Sequence, residues 1–235
     1  DLGWICTNSW RFGQELPVGG FGDYEDLFRG YEEESGFKVN PDHVKFWEVF
    51  GSFWWAVGCL GMAEHYRSGP DKTVERPIIG RRSSECQIDC VNLLIPGPVE
   101  ILEHEESISS LDLPRSDELL VSVRDFLRET VMKTSEGRDR FLARVAANSL
   151  DIVNRELALA PRHLQGELKR LREMFSSNQD LGVLRERLVK SLRDRTLSLE
   201  NEDLRMHLRA TVVNQTAIDQ PNYSGLKRAI KAGLA

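Results

Sequence analysis

Arg144-Val-Ala-Ala-Asn-Ser-Leu-Asp-Ile-Val-Asn-Arg-Glu-Leu157 places its apolar side chains at helical intervals. With Phe141 just before it, the residues Val145, Ser149, Ile152 and Val153 recur at three and four, the spacing that puts side chains on one face of an α-helix. Pro161 should end this helix, because proline lacks the amide donor of the next turn. A shorter helix is expected over 162–175. Asp180 caps another that carries Leu181, Leu184 and Leu188, and a last one holds Leu204, Leu208, Val212 and Ile218 and ends before Pro221. Upstream, Ser116 with Asp117 and Glu118 begins a helix that stops near Gly137. Alternating strand patterns are nearly absent. The chain therefore reads as all-α, and this half of it as a helical bundle.

The preceding half is helical too, but of different composition. Four pieces are expected: residues 2–10; a helix capped by Asp23 and stopped by Gly36; a long helix from the Asn40-Pro41 pair to Ser68-Gly-Pro70; and a fourth over 74–94, with Pro77 near its start. In the long helix Trp47, Phe50, Trp54, Val57 and Leu60 share one stripe, which predicts a buried face. All five tryptophans and all four cysteines lie before Ile95-Pro-Gly-Pro98. Beyond that point Leu, Arg and Glu dominate. Pro96, Gly97 and Pro98 and the polar His104-Glu-Glu-Ser-Ile-Ser-Ser110 read as a linker over 96–114, between domains at 1–95 and 115–235.

A formal charge of −6 over 235 residues argues against nucleic acid as a partner, because phosphate contacts need a basic surface. The most apolar run, 46–62, carries Glu48 and several glycines and suits a buried helix better than a membrane span. The N-terminus lacks the basic-then-apolar layout of a signal peptide. Cys86 and Cys90 are four apart and could form half of a zinc site, but no second Cys/His pair matches. The four cysteines read as free buried thiols in a reducing cytoplasm.

Candidate binding residues come from the Trp-rich half. Arg11 lies between Trp10 and Phe12, where a guanidinium suits a carboxylate or phosphate, or an ion pair that holds the loop. Glu48 is costly to bury alone, so it contacts a substrate or pairs with an arginine such as Arg81 or Arg82. Trp54 and Trp55 point apart on a helix, one to the core and Trp55 to a pocket wall. Arg81 and Arg82 can read phosphates or simply be solvated. Pro17-Val-Gly-Gly-Phe-Gly22 lacks the Lys-Ser/Thr ending of a phosphate loop and reads as a turn. His163 and His207 have no nucleophile partner in a motif. Asn148, Asp151 and Asn154, polar at helical spacing, suit hydrogen bonds between helices.

Asp1-Leu-Gly-Trp4, Trp10-Arg-Phe-Gly13, Pro17-Val-Gly-Gly20, Trp47-Glu-Val49 and Ile79-Gly-Arg-Arg82, in this order, resemble the kinase C-lobe of aminoglycoside-phosphotransferase-like proteins, in the branch associated with acyl-CoA dehydrogenases. The resemblance covers about the first 95 residues. It implies a kinase-like C-lobe whose helices wall the pocket for a hydroxyl-bearing acceptor, possible substrate contacts at Arg11, Glu48, Trp55 and Arg81, and ATP and Mg²⁺ as cofactors of the parent protein. The catalytic loop and metal-binding aspartate would fall upstream, so the chain itself is expected to be inactive, with no cofactor site of its own. Leu119-Leu-Val-Ser-Val-Arg-Asp-Phe-Leu127, Arg144 to Leu157, His207-Leu-Arg-Ala-Thr211 and Asp219-Gln-Pro-Asn-Tyr223 resemble a small helical domain of uncharacterised function that accompanies such enzymes. Partners expected are a small-molecule acceptor and a second copy bound through the Trp-rich helices. The rival reading is a non-catalytic interaction or regulatory protein that binds an enzyme of acyl-CoA metabolism.

Overall fold

The computed structural model describes residues 1–103 and 114–233, and the described residues are all-α. Helix α1 (Leu2–Cys6) runs into a 3-10 turn at Asn8–Trp10, where one continuous helix was expected. Residues 16–22 form a tight turn with two isolated bridges, Leu16 to Gly20 and Val18 to Gly22. Helix α2 (Tyr24–Ser35) starts where Asp23 accepts from the Asp26 amide and stops at Gly36, whose φ of +74° suits glycine. Helix α3 (Pro41–Ser68) begins at the Asn40 cap with Pro41 in its first turn.

The expected helix over 74–94 is two, α4 (Glu75–Arg81) and α5 (Ser83–Leu94), which meet at Arg82. Helices α6 (Ser116–Phe126) and α7 (Met132–Thr134) are joined by a π-helical turn at Leu127–Val131. Helix α8 (Gly137–Phe175) runs 39 residues through Pro161, so the expected break there is absent. One missing amide bond costs about 3 kcal/mol, and packing of α8 against α6, α9 and α10 along its length outweighs it. Helices α9 (Leu181–Arg193), α10 (Glu202–Asp219) and α11 (Ser224–Gly233) complete the fold. The sequence reading had no counterpart of α11.

Two predicted stripes are placed differently. On α8 the buried face is Ala143, Ala147, Ile152, His163, Glu167 and Leu171, while Phe141 and Val153 are exposed. On α3 the buried residues are Val44, Glu48, Gly51, Ser52, Ala56 and Cys59. The stripe of Trp47, Phe50, Trp54, Val57 and Leu60 is real, but it faces outward. Small side chains let α3 approach α1 and α5 closely: Ser83 Oγ donates to the Ala56 carbonyl at 3.1 Å. Bulky side chains on that face would hold the helices apart.

Three apolar clusters form the core. Cys6, Val18 and Val44 lie under α2; Leu171, Leu184, Leu188 and Leu204 join α8, α9 and α10. The third joins Ile88 of α5 to Val213 and Ala217 of α10 and to Leu226 and Ala229 of α11, with Val99 and Ile101 packed against it. The stretches read as separate domains thus share a core. The start of the expected linker is held along α10: Asn214 donates to the Glu100 carbonyl and accepts from the Leu102 amide. Residues 104–113 of that linker lie outside the described residues.

Ile88→Ala should destabilise the whole chain by roughly 2–5 kcal/mol, the usual cost of truncating a fully buried Ile. Thermal melting followed by tryptophan fluorescence, which reports the first half, and by far-UV circular dichroism should shift down together. A shift in one signal alone would show that the two halves fold independently.

Candidate functional site

Where the 3-10 turn, α3, α4, α5 and the α10–α11 loop meet, they enclose a cleft of about 560 Å³. Its aromatic wall is Trp10, Phe12 and Trp55, and its polar wall includes Asn8, Gln220, Asn222, Tyr223 and Ser224. Arg82 and Glu85 stand on the α5 side, where the guanidinium donates to the carboxylate at 3.1 Å. Such a volume falls in the range of small-molecule sites.

Trp4 and Trp54, which do not line the cleft, complete a ring cluster with Trp10 and Trp55 of the aromatic wall. Trp10 and Trp55 meet edge to face at 5.8 Å, and Trp4 stacks on Trp55 at 6.4 Å. The indole Nε1–H groups of Trp10 and Trp55 are buried with no hydrogen-bond partner among the described residues. Unmatched buried donors are uncommon and costly.

The polar wall rests on one buried carboxylate. Asp89 of α5 accepts from Asn8 Nδ2 at 2.8 Å and from the Tyr223 hydroxyl at 2.6 Å. Asn8 Nδ2 also lies 2.9 Å from the Tyr223 hydroxyl and 3.2 Å from Ser224 Oγ. Gly225 is required here, because a Cβ would come within 2.6 Å of Asp89 Oδ1. Burial pushes the Asp89 carboxyl up to about 7, against the pull of its bonds from Tyr223 and Asn8. Burial and the adjacent Asp89 in turn push the Tyr223 phenol up. Cys59 and Cys86 line the same cleft as free thiols. A hydrogen bond with Cys86 lowers the Cys59 thiol, while the same bond and burial raise that of Cys86.

The residues singled out in the sequence separate into three places. Trp55 lines the cleft. Arg11 and Glu48 are paired with each other at 2.9 Å, each almost wholly buried, and neither lines it. Arg11 also donates to the Cys6 and Pro17 carbonyls, and Tyr24 donates to the other Glu48 oxygen at 2.9 Å. Glu48 was expected to pair with Arg81 or Arg82; Arg11 reaches it because the 3-10 turn folds back over α3. Arg81 instead bridges Glu156 of α8 and Asp219 of α10. Asp151 accepts from Arg124 and Arg128, and Asn148 from Arg128, so these polar residues of α8 tie it to α6 and the π turn. The sequence reading missed Asn8, Asp89 and Ser224. Asp89 is flanked by Ile88 and Cys90, but Asn8 stands between Thr7 and Ser9 and Ser224 between Tyr223 and Gly225, a local pattern that any surface position also gives.

Residues 133–223 match the family model described as "Domain of unknown function (DUF6285)". No curated protein and no solved structure matches the chain. The matched stretch is helical, running from α7 through α10, and it ends at Tyr223 on the polar wall of the cleft.

The raised Asp89 carboxyl makes the folded state bind more protons than the unfolded chain between about pH 4 and pH 7. Its contribution is therefore full below about pH 4, falls as pH rises through that window, and stays constant above it. His207, lowered by burial to about 4, acts in the opposite direction as its unfolded form titrates. Asp89→Asn should remove the Asp89 part, so the melting temperature of wild type relative to the variant should fall from pH 4 to pH 7. A constant difference across these pH values would show that Asp89 is already ionised in the fold at pH 4.

Proposed function

We propose that the cleft binds a small hydroxyl-bearing molecule, and that the chain contributes acceptor-pocket helices and an appended helical module to an ATP- and Mg²⁺-dependent phosphotransferase. The observation that carries the binding site is the cleft itself, an aromatic wall facing a polar one at the junction of the two halves. Two unmatched indole donors beside it suit a ligand with acceptor oxygens. Support for the phosphotransferase part is the resemblance of residues 1–95 alone, and the link to acyl-CoA metabolism is an analogy from the same source.

Among the described residues no group of three His, Cys, Asp or Glu side chains gathers to hold a metal ion. The proposal assigns the metal and the nucleotide to the parent protein. No described helix is long and apolar enough to cross a membrane. A cytoplasmic setting, in which all four thiols stay reduced, belongs to the same proposal.

The outward face of α3 favours a second reading, in which the chain associates with another protein. Seven large apolar side chains lie exposed between Phe46 and Leu60, and a second copy of the chain is the partner the reading takes.

Tryptophan fluorescence titrated with 3-hydroxybutyryl-CoA should change saturably, because Trp10 and Trp55 line the cleft. Trp55→Ala and Tyr223→Phe should each weaken binding by roughly tenfold, the size of a lost ring contact or hydrogen bond in a desolvated site. No saturable change up to about 1 mM ligand would remove the acyl-CoA version of this reading. The same preparation with ATP and Mg²⁺ should show no turnover, and turnover would show that the chain holds a nucleotide site of its own.

A further inference from the structure

Along one face of α3, Phe46, Trp47, Phe50, Phe53, Trp54, Val57 and Leu60 are each between 43% and 61% exposed. They recur at three and four along about 20 Å of helix, the spacing of a seam between two helices. With an aromatic side chain presenting 150–250 Å² when free, together they expose on the order of 700 Å². The largest apolar patch of an ordinary monomer is about 300–600 Å², whereas each side of a stable dimer buries about 800 Å². We infer that α3 pairs antiparallel with α3 of a second copy of this chain, about a two-fold axis near Trp54 and Trp55. This rests on reading α3 as an association face and adds to it a register and a direction.

Shape and charge both select that direction. The bulky residues crowd the first half of the stripe, from Phe46 to Trp54. The second half narrows to Val57, Leu60 and Gly61, and nothing lies within 4 Å of where a Gly61 Cβ would stand. An antiparallel pair sets the bulky half of each helix against the narrow half of the other, so Trp47 and Phe50 meet the space over Gly61. A parallel pair would set ring against ring at one end and leave a gap at the other.

Asp42 and Arg67 are exposed, share one flank of the helix and lie equally far from the junction of Trp54 and Trp55. The proposed two-fold therefore brings Asp42 of each copy to Arg67 of the other, and His43 close to Glu64. Within one chain the Arg67 guanidinium lies 3.5 Å from the Glu64 carboxylate. In a parallel pair like charges would face each other. Exposed ion pairs add little affinity, so these set orientation more than strength.

Sedimentation equilibrium of the full chain should give twice its 26.8 kDa mass. Val57→Glu should raise the dimer dissociation constant at least about tenfold with unchanged circular dichroism, because the side chain is exposed. Asp42→Arg should weaken the dimer, and Asp42→Arg with Arg67→Asp should restore it. Under mild oxidation Trp54→Cys should cross-link to its copy above the background of the native thiols, whereas Gly61→Cys should not. A monomer at about 100 µM chain, or a dimer indifferent to Val57→Glu, would overturn both the proposal and the association reading beneath it. A dimer that Val57→Glu abolishes but that cross-links through Gly61→Cys would leave the face standing and overturn the antiparallel register.

Discussion

One buried carboxylate ties the two ends of this chain together. Asp89 takes hydrogen bonds from Asn8, near the start, and from Tyr223, near the end, and Ile88 beside it plugs the cluster made by α10 and α11. A charge in such a place is tolerated only with its acceptors matched. The same requirement that positions Asn8 and Tyr223 also shapes the cleft, since both line it. Stability and the candidate site therefore depend on the same atoms. A functional ligand in the cleft would rest on groups already fixed by folding, which reduces the entropy lost on binding.

The Arg11–Glu48 pair shows how a residue can look functional and be structural. Its guanidinium donates to Glu48 and to two backbone carbonyls. Burial pushes the Glu48 carboxyl up, against the pull of Tyr24 and Arg11. Replacing either partner would leave the other charge buried and uncompensated. The arrangement fastens the 3-10 turn to α3, and that turn delivers Trp10 and Asn8 to the cleft. Arg81 serves a similar fastening role between α4, α8 and α10.

Helix α3 illustrates what periodicity can and cannot say. The stripe of aromatic residues was legible, and so were the caps at Asn40 and Gly69 that bound the helix. Its direction was not, because a second stripe of small residues on the opposite face offered an equally regular surface. Close packing against α1 and α5 chose the small one. On α8 the same ambiguity turned the buried face toward alanines in place of Phe141 and Val153.

The sequence by itself determined the helical class, most helix starts and the change of composition near residue 95, because caps, prolines and three/four spacing are local properties of the chain. Only the tertiary structure decided that α8 continues through Pro161, that α5 serves as the floor for α10 and α11, and that Trp55 rather than Arg11 meets the cleft. These outcomes depend on contacts between residues as far apart as Asn8 and Ser224, which share no pattern along the chain. Their free energy comes from packing and from burying matched polar groups, and neither can be summed before the partners are known.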